Sequence, residues 1–514
     1  FQSKSQYTGE NMSALMQAEI INLSRNILIT GDDFEHVQCI NDTASDRQPS
    51  DSLQASHCSC WKGIKRNHCT VGLHTAAVGP RSVLSLQHTR IEKCGQRGIL
   101  GKYCIHLHLL DKCLDCKIIG NAIEYGHQRG TTIHGTHLAT IENNVYNDIR
   151  GSLIYIEDGN EMYNRIFYNV GICPWAKSGE KRGCTIPGTD NGQADTTLNQ
   201  AGLWGLSFTN YAIGNRFANN YNGMLYQEQG FPRGRGAVDG FECPSFQQIG
   251  RLEGNTFHGC GRFGTYVLAT VFPKQIDRTV DGNGLTRLNS CREWTITGED
   301  NGLSSTFMHN IDYSNVFVGQ YNAGDLQYRF HTSIQNQNLI YWKETKNFQD
   351  GCSAHIADSF YDTGNLALPG GHGTFILENM IFNNQIHFES SHHCQSGVTG
   401  VLCMPTYVFV NMKWNGIISD NSEIVQWGPN NGAMFTLGPD DEQNLNGNKL
   451  FPTGFCSIIH PYWSYLLAID NGESCFDSNY VANLTNQNNA KFKEKYSKAI
   501  FCKRPVRRLE VYLS

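Results

Sequence analysis

The chain has 514 residues, of which 39% are hydrophobic, with 52 Gly, 19 Cys and a formal net charge of −6; this length is too great for one compact core and suits an elongated repeat body with appended segments. Nucleic acid is excluded as a partner, because a net acidic chain lacks the clustered Lys and Arg that a phosphate backbone requires. No run of about 18 apolar residues occurs, so no membrane-spanning helix is expected.

Residues 1–79 read as N-terminal strands with a cysteine-rich insertion, in which Cys39, Cys58, Cys60 and Cys69 stand among polar residues. Sequons at Asn11, Asn22 and Asn41, with a fourth at Asn483, predict glycosylation. The chain starts at Phe1 without an initiator Met or an apolar leader, and a processed or trimmed chain is expected. Nineteen cysteines fit an oxidising compartment, and their odd number leaves one thiol unpaired or bonded to another chain. Secretion, or the outer face of the cell surface, is the location they predict.

Residues 80–270 carry the strongest signal, a repeat. Gly120-Asn-Ala-Ile123, Gly214-Asn-Arg-Phe217 and Gly254-Asn-Thr-Phe257 are each a turn followed by a short strand, with a looser copy at Asn143-Asn-Val-Tyr146. Arg129-Gly-Thr-Thr-Ile-His134 and Arg150-Gly-Ser-Leu-Ile-Tyr155 lie 21 residues apart, close to one turn of a β-solenoid. Gly and Asn tolerate the left-handed backbone of tight corners, and stacked Asn side chains can hydrogen-bond from coil to coil. The fold class is therefore all-β, a right-handed parallel β-helix with disulfide-pinned loops and a further β-rich C-terminal region.

Strand alternation places Ile105, Leu107 and Leu109 inside with Ile133 and Ile154, the three isoleucines in one column. It puts His106, His108, Thr132, His134, Tyr155 and Glu157 outside. His106 and His108 have the spacing that lets two imidazoles share a metal from one strand face, and His134 could add a third ligand. No cofactor is required by any motif; a divalent metal is the one this group could hold. Glu157, Asp158 and Glu161 offer the paired carboxylates of glycoside hydrolysis, and His or Tyr could serve an eliminative lyase instead. The candidate catalytic set is His106, His108, His134, Glu157 and Asp158. Tyr155 and Tyr226, read as aligned, are expected to meet a glycan with Arg129 and Arg165, although Glu157 paired with Arg129 or Arg165 is an equally structural reading. Cys113 and Cys116 are expected to be disulfide-bonded, with Cys94 or Cys104 as candidate partners; Cys58 and Cys60 are expected to be oxidised as well.

Residues 271–430 read as further coils or a β-rich insertion, with strand signals at Phe375–Phe382 and Thr406–Val410. Residues 431–514 read as a loop-rich segment. It holds the acidic turn Asp440-Asp-Glu442 and a basic tail with eight Lys and Arg between Lys491 and Arg508.

The stretches Gly98–Leu110, Arg129–Thr136 and Glu157–Glu161 with Asn164 and Asn169, preceded by Ala18–Ile27 and Gly72-Leu-His74, resemble one known region. It is the parallel β-helix shared by fibrocystin-like proteins and the cell-surface and secreted hyaluronidases related to the cell-migration-inducing hyaluronan-binding protein. The resemblance spans about residues 18–175. It implies the fold and, for function, either of the family's two roles. The leading expectation is an extracellular structural or glycan-binding glycoprotein that self-associates as a homo-oligomer or filament. The alternatives are a hyaluronidase-like polysaccharide depolymerase, hydrolase or lyase, using the histidine face, and an adhesion or receptor-type module. The partner in each case is a polysaccharide or glycan.

Overall fold

A computed structural model of the chain describes residues 18–31, 72–96, 101–174, 200–206, 208–227, 249–267, 305–322, 326–342, 354–368 and 374–390, with isolated positions and short strands besides. Asn11, Asn41, Asn483, Cys39, Cys58, Cys60, Cys69, Asp440–Glu442 and most of the basic tail lie outside the described residues. The chain divides into two units, one made chiefly of Leu15–Ser305 with Asn310–Val318 and the other chiefly of Gly319–Ser514.

All regular structure in the described residues is strand. In the first unit the strands are β1 (Ile27–Thr30), β2 (Thr75–Val78), β3 (Ser85–Gln87), β4 (Thr89–Cys94), β5 (Ile105–Lys112), β6 (Lys117–Ile119), β7 (Ala122–Gly126), β8 (Thr131–His137), β9 (Thr140–Glu142) and β10 (Val145–Ile149). They continue as β11 (Ile154–Ile156), β12 (Arg165–Phe167), β13 (Val170–Ile172), β14 (Ala201–Gly205), β15 (Tyr211–Ile213), β16 (Arg216–Ala218), β17 (Asn222–Tyr226), β18 (Arg251–Glu253), β19 (Thr256–His258) and β20 (Phe263–Val267). Every third strand stacks in parallel on the one before. β1, β4, β7, β10, β13, β16 and β19 form one column. A second runs β2, β5, β8, β11, β14, β17 and β20, and the third runs β3, β6, β9, β12, β15 and β18. Three parallel columns wound by one chain are a parallel β-helix.

The second unit also stacks its strands in parallel. Leu326–Arg329 leads through Ala354–Ala357, Thr374–Glu378 and Thr406–Val410 to Ala433–Leu437. Cys475–Asp477 and Ile500–Cys502 form an antiparallel pair.

The repeat works through its corners. Gly120 and Gly214 hold φ of 68° and 66°, and each is followed by an Asn whose side chain points along the stack. Asn121, Asn144, Asn169, Asn215, Asn255 and Asn310 form a continuous buried ladder, each side-chain oxygen accepting both the backbone and the amide N–H of the Asn one coil earlier. Asn164 and Asn210 begin a second ladder. The absent Cβ also makes room for the previous corner: a Cβ on Gly120 would lie 2.6 Å from the His88 ring, and one on Gly214 would lie 2.5 Å from Tyr168. The Gly-Asn pair is thus a bend and a hydrogen-bonding rung in two residues.

The interior is as alternation requires, with one shift in register. Ile105, Leu107, Ile133, Ile154 and Ile156 are all fully buried. However, Ile105 stacks on Thr131 and then on Ile154, while Ile133 belongs to the next column with Leu107 and Ile156. The two Arg-Gly segments therefore align 23 residues apart, not 21. A slip of two leaves every side chain on its own face, and Thr131, brought inside, is satisfied by the Tyr146 hydroxyl at 2.8 Å. Leu109 is a second correction. The register shifts between His108 and Asp111, Leu109 takes a φ of 58° and is only half-buried, and Leu110 fills the core in its place.

Disulfides join Cys94 to Cys104, Cys113 to Cys116 and Cys173 to Cys184. Cys113 and Cys116 thus pair with each other rather than with Cys94 or Cys104: they flank the turn into β6, whereas Cys94 and Cys104 end and begin strands in adjacent columns.

Candidate functional site

Three neighbouring strands set the site on the outer face. β5 supplies His106 and His108, β8 supplies Thr132 and His134 in register with them, and β11 stacks Tyr155 on Thr132. Glu157 follows as its N–H donates to Ile133 O at 3.0 Å, which brings its side chain up beside His134.

The three imidazoles converge, with one ring nitrogen from each within 4.8 Å of the others. His108 Nδ1 lies 3.3 Å from His106 Nε2 and 3.0 Å from His134 Nδ1. Each outer ring is fixed from behind: His106 Nδ1 donates to Gly101 O at 2.9 Å, and His134 Nε2 is 3.1 Å from Asp158 Oδ2. Glu157 Oε1 lies 3.4 Å from the Arg129 guanidinium and 3.3 Å from the Tyr103 hydroxyl, and Arg129 in turn donates to that hydroxyl at 2.7 Å. Glu157 Oε2 is buried without a hydrogen bond, 3.6 Å from His134 Nδ1 and 4.0 Å from His106 Nε2. Thr132 Oγ1, beside them, is likewise buried without a hydrogen bond.

Electrostatics differ from one ring to the next. Burial, then the charge that His108 and His134 would carry, pushes His106 down to about 2, so it is neutral. Burial and His134 also lower His108, against the pull of Glu157 and Asp158. At His134 burial acts downward, but the hydrogen bond it donates to Asp158 and the charges of Glu157, Asp158 and Glu161 together outweigh it, and the net shift is upward. Glu161 is pushed up to about 7 by burial and then by Asp158, although it accepts the N–H groups of Gly135, Asp158 and Gly159 at 2.8–2.9 Å. The five residues expected to carry chemistry are thus together.

The residues expected to meet a glycan are placed otherwise. Tyr155 and Arg129 are each 2% exposed: the guanidinium sits 3.4 Å over the Tyr155 ring, whose far side stacks on Trp204 at 4.0 Å. Tyr226 is not in register with Tyr155; it stacks on Gly205 and donates from its buried hydroxyl to Pro244 O. Both rings are covered, so a sugar cannot stack on either as folded. Arg165 is exposed, over Phe167 on β12, and Glu157 pairs with Arg129 rather than with it. His74 lies beside the cluster, its ring 6.3 Å from His106, whereas His137 accepts the Met162 N–H. Asn22 is exposed, as a glycosylation site must be.

Tyr103 is the participant that sequence reasoning missed. It precedes β5 at a corner where alternation says nothing about direction, and only its place three residues before His106 could have drawn notice.

The stacked coils, the disulfides and the outward cluster define the class: a disulfide-bonded parallel β-helix with an ionisable site on one face. Residues 70–265 match the CEMIP beta-helix family. The chain is 28% identical over 327 residues to human Fibrocystin-L, covering 60% of this chain and 7% of that protein. It is 28% identical over 195 residues to Protein rliB of Dictyostelium discoideum, covering 37% of this chain and 17% of that one. A G8 domain-containing protein of the same organism is 26% identical over 340 residues, covering 62% of this chain and 29% of its own length. The chain therefore carries a β-helix region of the fibrocystin-like and CEMIP family, spanning a small part of the relatives it matches. The family likeness suggests an extracellular or cell-surface protein, and among the described residues no helix is long and apolar enough to cross a membrane.

Proposed function

We propose that this chain is the glycan-acting β-helix unit of an extracellular polysaccharide depolymerase, with Glu157 as its acid–base group and the three histidines and Asp158 completing the site. The observation that carries this reading is the meeting of three imidazoles with Glu157 and Asp158 on one outward face, reachable from solvent at His108, His134 and Glu157. A purely structural ladder needs paired polar groups and gains nothing from a carboxylate oxygen left without a hydrogen bond. Glu157, oriented by Arg129 and Tyr103, is set to exchange a proton at a glycosidic oxygen, with the histidine cluster, held by Asp158 from behind, beside it. The resemblance to hyaluronidases supports an acidic, hyaluronan-like chain as substrate.

One observation favours the second reading, a structural or glycan-binding glycoprotein. Beyond the histidines the outer column Tyr155, Trp204 and Leu225 is buried to 2% or less, which is a closed face and not a long open groove. Incubation with hyaluronan, chondroitin and pectin-type chains, following reducing ends and unsaturated-product absorbance, separates the two. Product formation that His134→Ala abolishes supports the enzyme. Binding of a glycan with no product from any chain overturns it in favour of the structural role.

A further inference from the structure

We propose that His106 Nε2, His108 Nδ1 and His134 Nδ1 are the three protein ligands of a divalent transition metal, of the zinc or cobalt class, with Glu157 on its open side. The inference rests on reading this cluster as the functional site, but not on that site being an enzyme's.

The first support is geometric. A metal that binds imidazole nitrogens at about 2.0–2.1 Å with tetrahedral angles sets those nitrogens about 3.3–3.4 Å apart. His108 Nδ1 stands 3.3 Å and 3.0 Å from its two neighbours, and all three nitrogens lie within 4.8 Å of one another, so the two outer rings would draw together around a bound ion. The second support is proton counting. The Gly101 carbonyl takes the Nδ1–H of His106, leaving a lone pair on Nε2; Asp158 takes the Nε2–H of His134, leaving a lone pair on Nδ1. Both lone pairs face His108 Nδ1, which has at most one hydrogen to give. One lone pair therefore meets another nitrogen with nothing between them, unless His134 carries a proton on both nitrogens or a cation accepts all three; a metal is the arrangement that uses all three nitrogens at once. The third is the surrounding shell: a backbone carbonyl behind one ligand and a carboxylate behind another are the partners that orient metal-bound histidines. The fourth is Glu157 Oε2, buried without a hydrogen bond 3.6 Å from His134 Nδ1 and 4.0 Å from His106 Nε2. It can reach the fourth position directly or hold a water there. Three nitrogen ligands from two adjacent strands leave that position open, which is the arrangement of a site that works on a ligand and not of a closed structural one. Imidazole donors with a carboxylate suit zinc, cobalt or nickel, and not the all-oxygen shell of calcium.

The test is Co²⁺ titrated alone into the full metal-stripped chain, read by visible absorption, with metal content of the untreated protein measured in parallel. One equivalent of Co²⁺ giving the intense visible bands of four-coordinate cobalt, displaced by Zn²⁺, is expected. His108→Ala should remove the bands, and Asp158→Asn, which spares all three ligands, should weaken binding about 10–100-fold. No saturable cobalt spectrum in the folded wild-type chain, or one that survives His108→Ala unchanged, overturns the site. Metal bound without polysaccharide cleavage sinks only the enzyme reading, and cleavage undiminished in the stripped protein, with no cobalt bound, sinks only the metal.

Discussion

Single side chains on this solenoid have consequences that can be measured separately. Asn169 bridges three coils: its oxygen accepts two N–H groups of Asn144, while its amide donates to Ile141 O and Asn215 Oδ1. Asn169→Ala strands those buried partners, at about 1–3 kcal/mol each where water cannot replace the bond, so a loss of about 2–5 kcal/mol is expected in chemical denaturation. A loss within about 0.5 kcal/mol would mean that the ladder is ornamental. Glu161 gives a pH signature. Its carboxyl is raised to about 7 in the folded chain, by burial and by Asp158, against about 4.3 when unfolded. Between those values the folded state holds more protons, so this group's contribution to stability is greatest below pH 4.3 and declines as pH rises through 7. The stability of Glu161→Gln relative to wild type should therefore climb from pH 4.5 to 7 and then level off. A difference independent of pH would show that Glu161 is ionised throughout.

Strands and corners show how the coils are held in register. β8 is sandwiched between β5 and β11, and Ile133 at its centre is fully buried. Ile133→Ala should cost about 2–5 kcal/mol, while Lys117→Ala on the exposed edge of β6 should stay within about 0.5 kcal/mol; equal effects in thermal unfolding would refute the inward assignment. Much of this was legible in the residues. Gly120-Asn121 and Gly214-Asn215 announce corner and ladder together, because few other residues combine a left-handed bend with a side-chain amide. His106, His108 and His134 could be placed on one face because alternation survives a slip of two. Alternation could not reveal the bulge at Leu109, which exchanges places with Leu110 without any Gly or Pro to mark it. Nor could it reveal that Tyr155, though outward, is roofed by Arg129. Outward on a strand means exposed only if no other segment lies across it, and the Arg129 and Tyr103 that close the site come from corners with no periodicity to read.

At the scale of the whole molecule, a β-helix brings to one surface residues distant along the chain, and insertions between strands can close that surface locally. Between β17 and β18, two described positions touch the site's rim: Arg233 N–H donates to Asp158 O, and Gly159 lies against Pro244. The oxidised state is part of the same picture. Peptide mapping of unreduced native protein should recover Cys94–Cys104, Cys113–Cys116 and Cys173–Cys184, whereas free thiols at these six positions would contradict passage through an oxidising compartment. The central claim is that the outward cluster acts on a polysaccharide, and Glu157 is the group whose loss should matter most at least cost to the fold. The most direct measurement is the chain-length distribution of high-molecular-mass hyaluronan, incubated with wild-type protein and with Glu157→Gln and followed over time by size-exclusion light scattering. The account predicts progressive shortening by the wild type and a rate at least about 100-fold lower for the variant, the usual scale for losing an acid–base group. Hyaluronan left at full length by the folded wild-type chain, or shortened equally by both proteins, would contradict it.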